Sequence, residues 1–188
     1  MNSAALYLLT GLGNPGAKYQ HDRHNVGFMV GEELRRRYGL PEPRSRFQGL
    51  ISEGAIAGHR SVMLWPMTFM NLSGKSVGEA ARYFKVPVDG MLIIHDEVEL
   101  AFGDVRLKEG GGLGGHNGLR SIEQHIGSRD FWRLRVGVGR PASDRKPLAD
   151  HVLEPFNEPR EEVLLMIGRA ADLAEEWLAA QDGDACQS

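Results

Sequence analysis

The sequence predicts a single three-layer α/β domain over residues 1–188, a central mixed β-sheet flanked by helices, and three patterns carry that expectation. Apolar runs at residues 4–10 and 91–95 are short and end at glycine or at an acidic pair, as buried strands do. Stretches of helical period lie between the strand-like runs. One pair of strand-like segments is joined only by Gly58 and His59, which adds a hairpin to an otherwise alternating order.

The elements follow in order. After the strand at 4–10, residues 25–38 place Val26, Met29, Val30 and Leu34 on one helical face and turn Glu32, Arg35, Arg36 and Arg37 mostly outward, and Gly39 ends the helix. Residues 41–46, with Pro41 and Pro43, read as a loop. Residues 48–57 and 60–65 form the hairpin, and a helix over 75–85 is punctuated by Pro87 and Asp89-Gly90. A short strand is expected over 102–108. The next stretch, 109–118, has five glycines between Gly110 and Gly115, a composition expected to stay mobile until something binds it. A helix at 119–126, a strand at 133–138 and a long helix at 159–180 complete the chain. The last shows Val163, Leu164, Ile167, Ala170, Ala171, Ala174 and Leu178 at helical spacing.

Composition narrows the class. With 41% hydrophobic and 25% charged residues, the chain suits an ordinary globular domain, and no apolar stretch approaches a membrane span. No secretory signal is visible, and the lone Cys186 has no internal disulfide partner, so a cytoplasmic location is expected. The net charge of −3 hides an asymmetry: residues 1–148 carry 20 Lys and Arg against 15 Asp and Glu, whereas residues 149–188 carry 2 against 10. The basic body suits a phosphate-bearing partner despite the acidic total.

Residues 11–27 leave the first strand and concentrate turn-forming and titratable side chains, so the chemistry is expected there. Gly11, Gly13 and Gly16 satisfy the spacing of a dinucleotide-binding turn. The apolar helical pattern begins only near Asn25, however, and no acidic residue closes a second strand at the required distance. A metal site from His21, His24 and the His95-Asp96-Glu97 run lacks a second cluster of recognised spacing, and no serine elbow is present. Loops after predicted strands instead bring Asn14 with His24, Asp96, and His116 with Asn117, while a further connection carries Asn71. A histidine with a carboxylate on one ring nitrogen is a general base for water, and amide side chains hold a carbonyl or its oxyanion. His21 is expected in solvent, and His95 in the core.

Five segments together are specific. They are Gly11-Leu12-Gly13-Asn14-Pro15-Gly16 with Tyr19, Arg23-His24-Asn25, Thr68-Phe69-Met70-Asn71-Leu72-Ser73-Gly74, His95-Asp96, and Gly114-Gly115-His116-Asn117-Gly118. In this combination the chain resembles bacterial peptidyl-tRNA hydrolase. The resemblance implies a monomeric, metal- and cofactor-independent cytoplasmic esterase that frees peptides from peptidyl-tRNA. It implies His24 as base, Asp96 as the acid that supports it, and Asn14 as a residue that tells N-blocked from free aminoacyl-tRNA. Tyr19, Phe69, Asn71 and Asn117 match tRNA- or peptide-binding positions, Met70 lines the same cleft, and His116 sits near the acceptor end in a gating loop. Arg106, Lys108 and Arg135 are candidate phosphate contacts. The acidic C-terminal segment departs from the more basic helix expected of the family. The competing reading is a non-catalytic RNA-binding module that holds the tRNA acceptor end and releases nothing.

Overall fold

The computed structural model describes residues 4–184 and shows one seven-stranded sheet in the order β2-β3-β4-β1-β5-β7-β6. The strands are β1 (Tyr7–Gly11), β2 (Arg44–Arg46), β3 (Gly49–Ile56), β4 (His59–Pro66), β5 (Met91–Glu97), β6 (Val105–Glu109) and β7 (Trp132–Gly137). The helices are α1 (Val26–Arg37), α2 (Ser73–Phe84), α3 (Asn117–Ile126), α4 (Leu148–Val152) and α5 (Arg160–Asp184). β1 pairs in parallel with β4 and β5, and β5 with β7. The pairs β2–β3, β3–β4 and β6–β7 are antiparallel, so the sheet is mixed.

Alternation along the strands builds two cores. Leu9, Leu92, Ile94, Leu134 and Val136 face α1 and α5, whose Val30, Leu34, Ala170, Ala174 and Trp177 close that layer. Leu8, Val62, Leu64 and Ile93 face the other way, onto α2 and α3 through Val77, Ala80, Leu119 and Ile122. The N-terminus of α1 is pressed onto β1. A Cβ on Gly11 would lie 2.2 Å from the Gly27 carbonyl oxygen, and one on Gly27 would lie 2.4 Å from that of Ile94. Only glycine permits this approach, which sets the depth of His24, three residues ahead of Gly27.

Four expectations need correction. Residues 44–46 are not loop: beyond Pro41 and Pro43 they form the edge strand β2 on β3, where unpaired backbone on one side is tolerated. α4 has no periodic signal in its five residues and was not expected. Strand β6 begins at Val105, later than predicted, because Gly103 at φ 92° turns the chain first. Leu164 has the spacing of the α5 core stripe yet is 54% exposed, lining a surface groove with Phe28, Met29 and Phe156. Cys186 lies outside the described residues. Among the described residues, no helix is long and apolar enough to cross a membrane.

Candidate active site

The chain reverses its spread across the sheet at β1, with β4 on one side and β5 on the other, and a cleft of about 480 Å³ opens beyond their C-terminal ends. Segments following β1 and β4 supply Asn14, Tyr19 and His24, then Phe69, Met70 and Asn71, and the C-terminal end of β5 itself supplies Asp96. His116 and Asn117 arrive by another route. β6 is antiparallel to β7 and runs away from the cleft, so the glycine-rich stretch has to lead the chain back. Gly110, Gly111, Gly114 and Gly115 all adopt positive φ along it. Its first part is tied down rather than free. The Arg133 guanidinium, stacked 4.9 Å over Phe131, donates to the carbonyls of Gly111 and Gly112 and to that of Arg129.

At the centre, both Asp96 oxygens accept from histidines. His24 Nδ1 lies 2.9 and 2.8 Å from Oδ1 and Oδ2, and His116 Nε2 lies 2.8 Å from Oδ1. The surrounding bonds fix the tautomers. The Nδ1 of His116 caps α3, accepting from the backbone N–H groups of Gly118 and Leu119 at 3.1 and 3.3 Å, so its proton sits on Nε2 and points at Asp96. An ionised Asp96 only accepts, so His24 carries a proton on Nδ1, and neutral His24 turns a bare Nε2 lone pair to the cleft.

Burial strongly disfavours charge on Asp96, but the two histidines, by charge and by hydrogen bond, outweigh it and hold the carboxyl well below its ordinary range. Burial alone would lower the His24 pKa; the Asp96 charge and hydrogen bond, helped by Asp22, raise it above that of a free imidazole. His95, one residue from Asp96, is fully buried, and desolvation with the nearby His116 pushes its pKa down to about 3. It is a neutral core residue with Nδ1 2.8 Å from the Asp96 carbonyl. His24, Asp96 and His116 also have potential metal-ligand atoms within 4.8 Å of one another. The nitrogens that face the carboxylate carry protons, so this donor set reads as a hydrogen-bonded triad rather than a metal centre.

Asn14 is held from both sides. Its backbone N–H donates to Asn25 Oδ1 and its carbonyl accepts from Asn25 Nδ2, both at 2.9 Å, while its own Oδ1 accepts the Met70 N–H at 2.8 Å. Met70 is buried behind it. Phe69, 59% exposed, and Asn71 stand at the rim with half-buried Tyr19 and the exposed Asn117. His21 is exposed, as expected.

Sequence reasoning missed one wall altogether. Leu148, Ala149, Val152 and Leu153, on and after α4, face the triad across the cleft. Arg23 anchors that wall: its buried guanidinium donates to the His151 carbonyl at 3.0 Å, and its backbone N–H donates to that of Glu154, also at 3.0 Å. The Arg23-His24-Asn25 run was the available signal, since it places two clamps beside the base. Arg106, Lys108 and Arg135 do not line the cleft. Arg106 and Arg135 are cross-strand partners on β6 and β7, on the α2–α3 face of the sheet, and Arg135 Nε donates to Glu97 at 3.2 Å. Gly16 is followed by a 3₁₀ turn, Ala17–Tyr19, and not by a helix, so no helix N-terminus stands where a dinucleotide pyrophosphate would bind.

A profile of the peptidyl-tRNA hydrolase family matches residues 8–188. The chain belongs to the peptidyl-tRNA hydrolase family. The peptidyl-tRNA hydrolase of Rhodospirillum centenum is 50% identical over 157 residues, 84% of this chain and 68% of that relative. That of Methylocella silvestris is 45% identical over 183 residues, 97% of this chain and 92% of the relative. A crystal structure of peptidyl-tRNA hydrolase from Acinetobacter baumannii matches with a TM-score of 0.84 at 39% identity, covering 100% of this chain and 94% of that one. Membership of the peptidyl-tRNA hydrolase family gives the cleft its context, an ester between a peptide and a ribose.

Proposed function

We propose that the protein hydrolyses the ester joining a peptide to the 3′ ribose of tRNA, acting as a monomeric, single-domain cytoplasmic enzyme without metal or cofactor. The observation that carries this reading is the pair of hydrogen bonds from His24 and His116 to one buried carboxylate, which leaves His24 Nε2 bare toward the cleft. Water attacks the ester carbonyl and gives its proton to Nε2. The carbonyl carbon to ribose oxygen bond then breaks, and the proton passes from His24 to the departing 3′ oxygen. Peptide acid and free tRNA leave. General-base help of this kind contributes about 10²–10⁴ in rate.

Asp96 keeps the imidazole in the productive tautomer, and His116 positions Asp96 from the N-cap of α3. The amides of Asn14, Asn71 and Asn117 hold the peptide backbone and the developing oxyanion. Tyr19 and Phe69 offer faces for the terminal adenine or ribose. Arg106, Lys108 and Arg135 take phosphates from the α2–α3 face. Gating is confined to residues 113–115, between the Arg133 anchor and the His116 cap. The test is peptide release by the purified protein from N-acetylated aminoacyl-tRNA in excess EDTA. Release supports the reading; binding without release identifies the RNA-binding module instead, and release lost with EDTA refutes metal independence.

A further inference from the structure

His95 is buried beside Asp96, and the mechanism above leaves it without a task. Its place in the sheet is particular. The Leu12 N–H donates to the Ile94 carbonyl at 3.0 Å, and the chain then leaves the sheet at Gly13 and Asn14 to build the cleft. Alternate residues of a strand direct their backbone groups to the same side, so the Asp96 carbonyl faces the gap left by β1. Glu97, turned the other way, accepts from Val138 at 3.1 Å. Among the described residues no backbone N–H reaches the Asp96 carbonyl, and the His95 ring supplies the donor, its Nδ1 lying 2.8 Å away.

A carbonyl only accepts, so the His95 proton sits on Nδ1 and Nε2 is bare. That Nε2 is buried and has no partner among the described residues. An apolar side chain of similar shape would spare the fold this unmatched acceptor, which points to a task for the rest of the ring. The ring also packs edge-on against His116, with centroids 5.1 Å apart and planes at 70°. His116 in turn lies 5.2 Å from the His24 ring.

We infer that His95 is a positioning residue for the ester hydrolysis, holding the Asp96 carbonyl through Nδ1–H and backing the His116 ring, an inference that rests on the hydrolase reading above. The held carbonyl and the catalytic carboxylate share one Cα. Fixing the first therefore sets the backbone from which the second reaches His24 at 2.8 and 2.9 Å and His116 at 2.8 Å. A rotation of that peptide opens one of these bonds, and His24 loses the partner that fixes its tautomer. Desolvation and the nearby His116 keep His95 neutral, so the Asp96 charge is left to His24 and His116.

The experiment compares wild type with His95→Phe, His95→Leu and His95→Asn on N-acetylated aminoacyl-tRNA, with far-UV circular dichroism confirming that each variant is folded. Phenylalanine keeps the ring and loses the donor. Leucine and asparagine share a branched shape, and only asparagine carries an N–H that can reach the Asp96 carbonyl. His95→Phe and His95→Leu are expected to lose about tenfold in kcat, with KM and the affinity for deacylated tRNA unchanged. The acid limb of their pH–rate profiles should move to lower pH, because His24 loses part of the Asp96 contact that raises its pKa. His95→Asn should recover most of the rate and the position of that limb. If His95→Phe fails to fold, the leucine–asparagine pair carries the comparison. Wild-type kcat in His95→Phe or His95→Leu, asparagine no better than leucine, or a loss carried by KM with the acid limb in place overturns the positioning role while leaving hydrolysis standing. A wild type that releases no peptide overturns the hydrolase reading and this inference together.

Discussion

Asn14 gives its side-chain oxygen to the backbone N–H of Met70, 2.8 Å away, so the half of its amide left for a ligand is the NH₂ group. Asn25 holds the Asn14 backbone by two further bonds, and because the Met70 N–H can only donate, it is the amide oxygen that faces Met70. A donor at this position suits the carbonyl of an N-acyl group and repels an ammonium, which also only donates. Asn14→Asp keeps an acceptor for Met70 and turns a carboxylate oxygen to the cleft. The expected result is a fall of about 10- to 100-fold in kcat/KM on N-acetylated substrate and a relative gain on unblocked aminoacyl-tRNA, measured by parallel hydrolysis assays. An unchanged ratio of the two would show that Asn14 does not discriminate.

Activity should fall in acid, because Nε2 of His24 has to be unprotonated to accept from water. The His24 pKa is raised, so the midpoint of that limb is expected above the value of 6.5 for a free imidazole. In Asp96→Asn the burial that lowers the pKa remains and the charge that raises it is gone. The midpoint should therefore move to lower pH while the plateau rate drops by about 10²-fold or more, the tautomer no longer being held. A pH–rate profile of both proteins checks the sign.

Stability should also respond to acid, through His95. Its pKa is about 3 in the folded protein against 6.5 for the free group, so the unfolded chain binds the extra proton between those values. Folding is therefore weakened as pH falls through that window, by up to roughly 5 kcal/mol at its lower end. His24, with a raised pKa, acts oppositely: its contribution is full below 6.5 and is lost as pH rises through the folded value. Urea denaturation of wild type and His95→Phe at several pH values between about 4 and 7 separates the two. The wild type should lose stability more steeply toward acid than the variant.

Arg106 and Lys108 are exposed on the edge strand β6. Alanine at either position should raise KM, leave kcat near wild type, and reduce the slope of log affinity against log salt by about 0.7–0.9. Arg135→Ala should cost less, because its guanidinium is already engaged by Glu97 at 3.2 Å. Binding titrations with deacylated tRNA at several salt concentrations measure this.

Much of the architecture was legible because it depends on local pattern. Residues 4–10 and 91–95 are apolar and short, and α1 and α5 carry the helical period along most of their length. Most cleft residues were legible because they crowd the segments after β1 and β4 and the end of β5. What stayed hidden depends on contacts between distant segments. Arg23 reaches His151 across 128 residues, and no local spacing announces that bond. Arg133 looks like an ordinary strand residue until the glycine-rich stretch folds back over it. α4 is too short for periodicity, and Leu164 fits the core stripe in sequence but not in space. The acidic C-terminal segment was visible in composition, whereas the face of the sheet it covers was not.

The most direct test of the central claim is single-turnover hydrolysis of N-acetylated aminoacyl-tRNA by His24→Ala, run beside a direct measurement of tRNA affinity. The triad geometry requires a rate loss of about 10²–10⁴ with affinity close to wild type. Hydrolysis at the wild-type rate in the variant would contradict it, since the carboxylate-held imidazole would then not be the base.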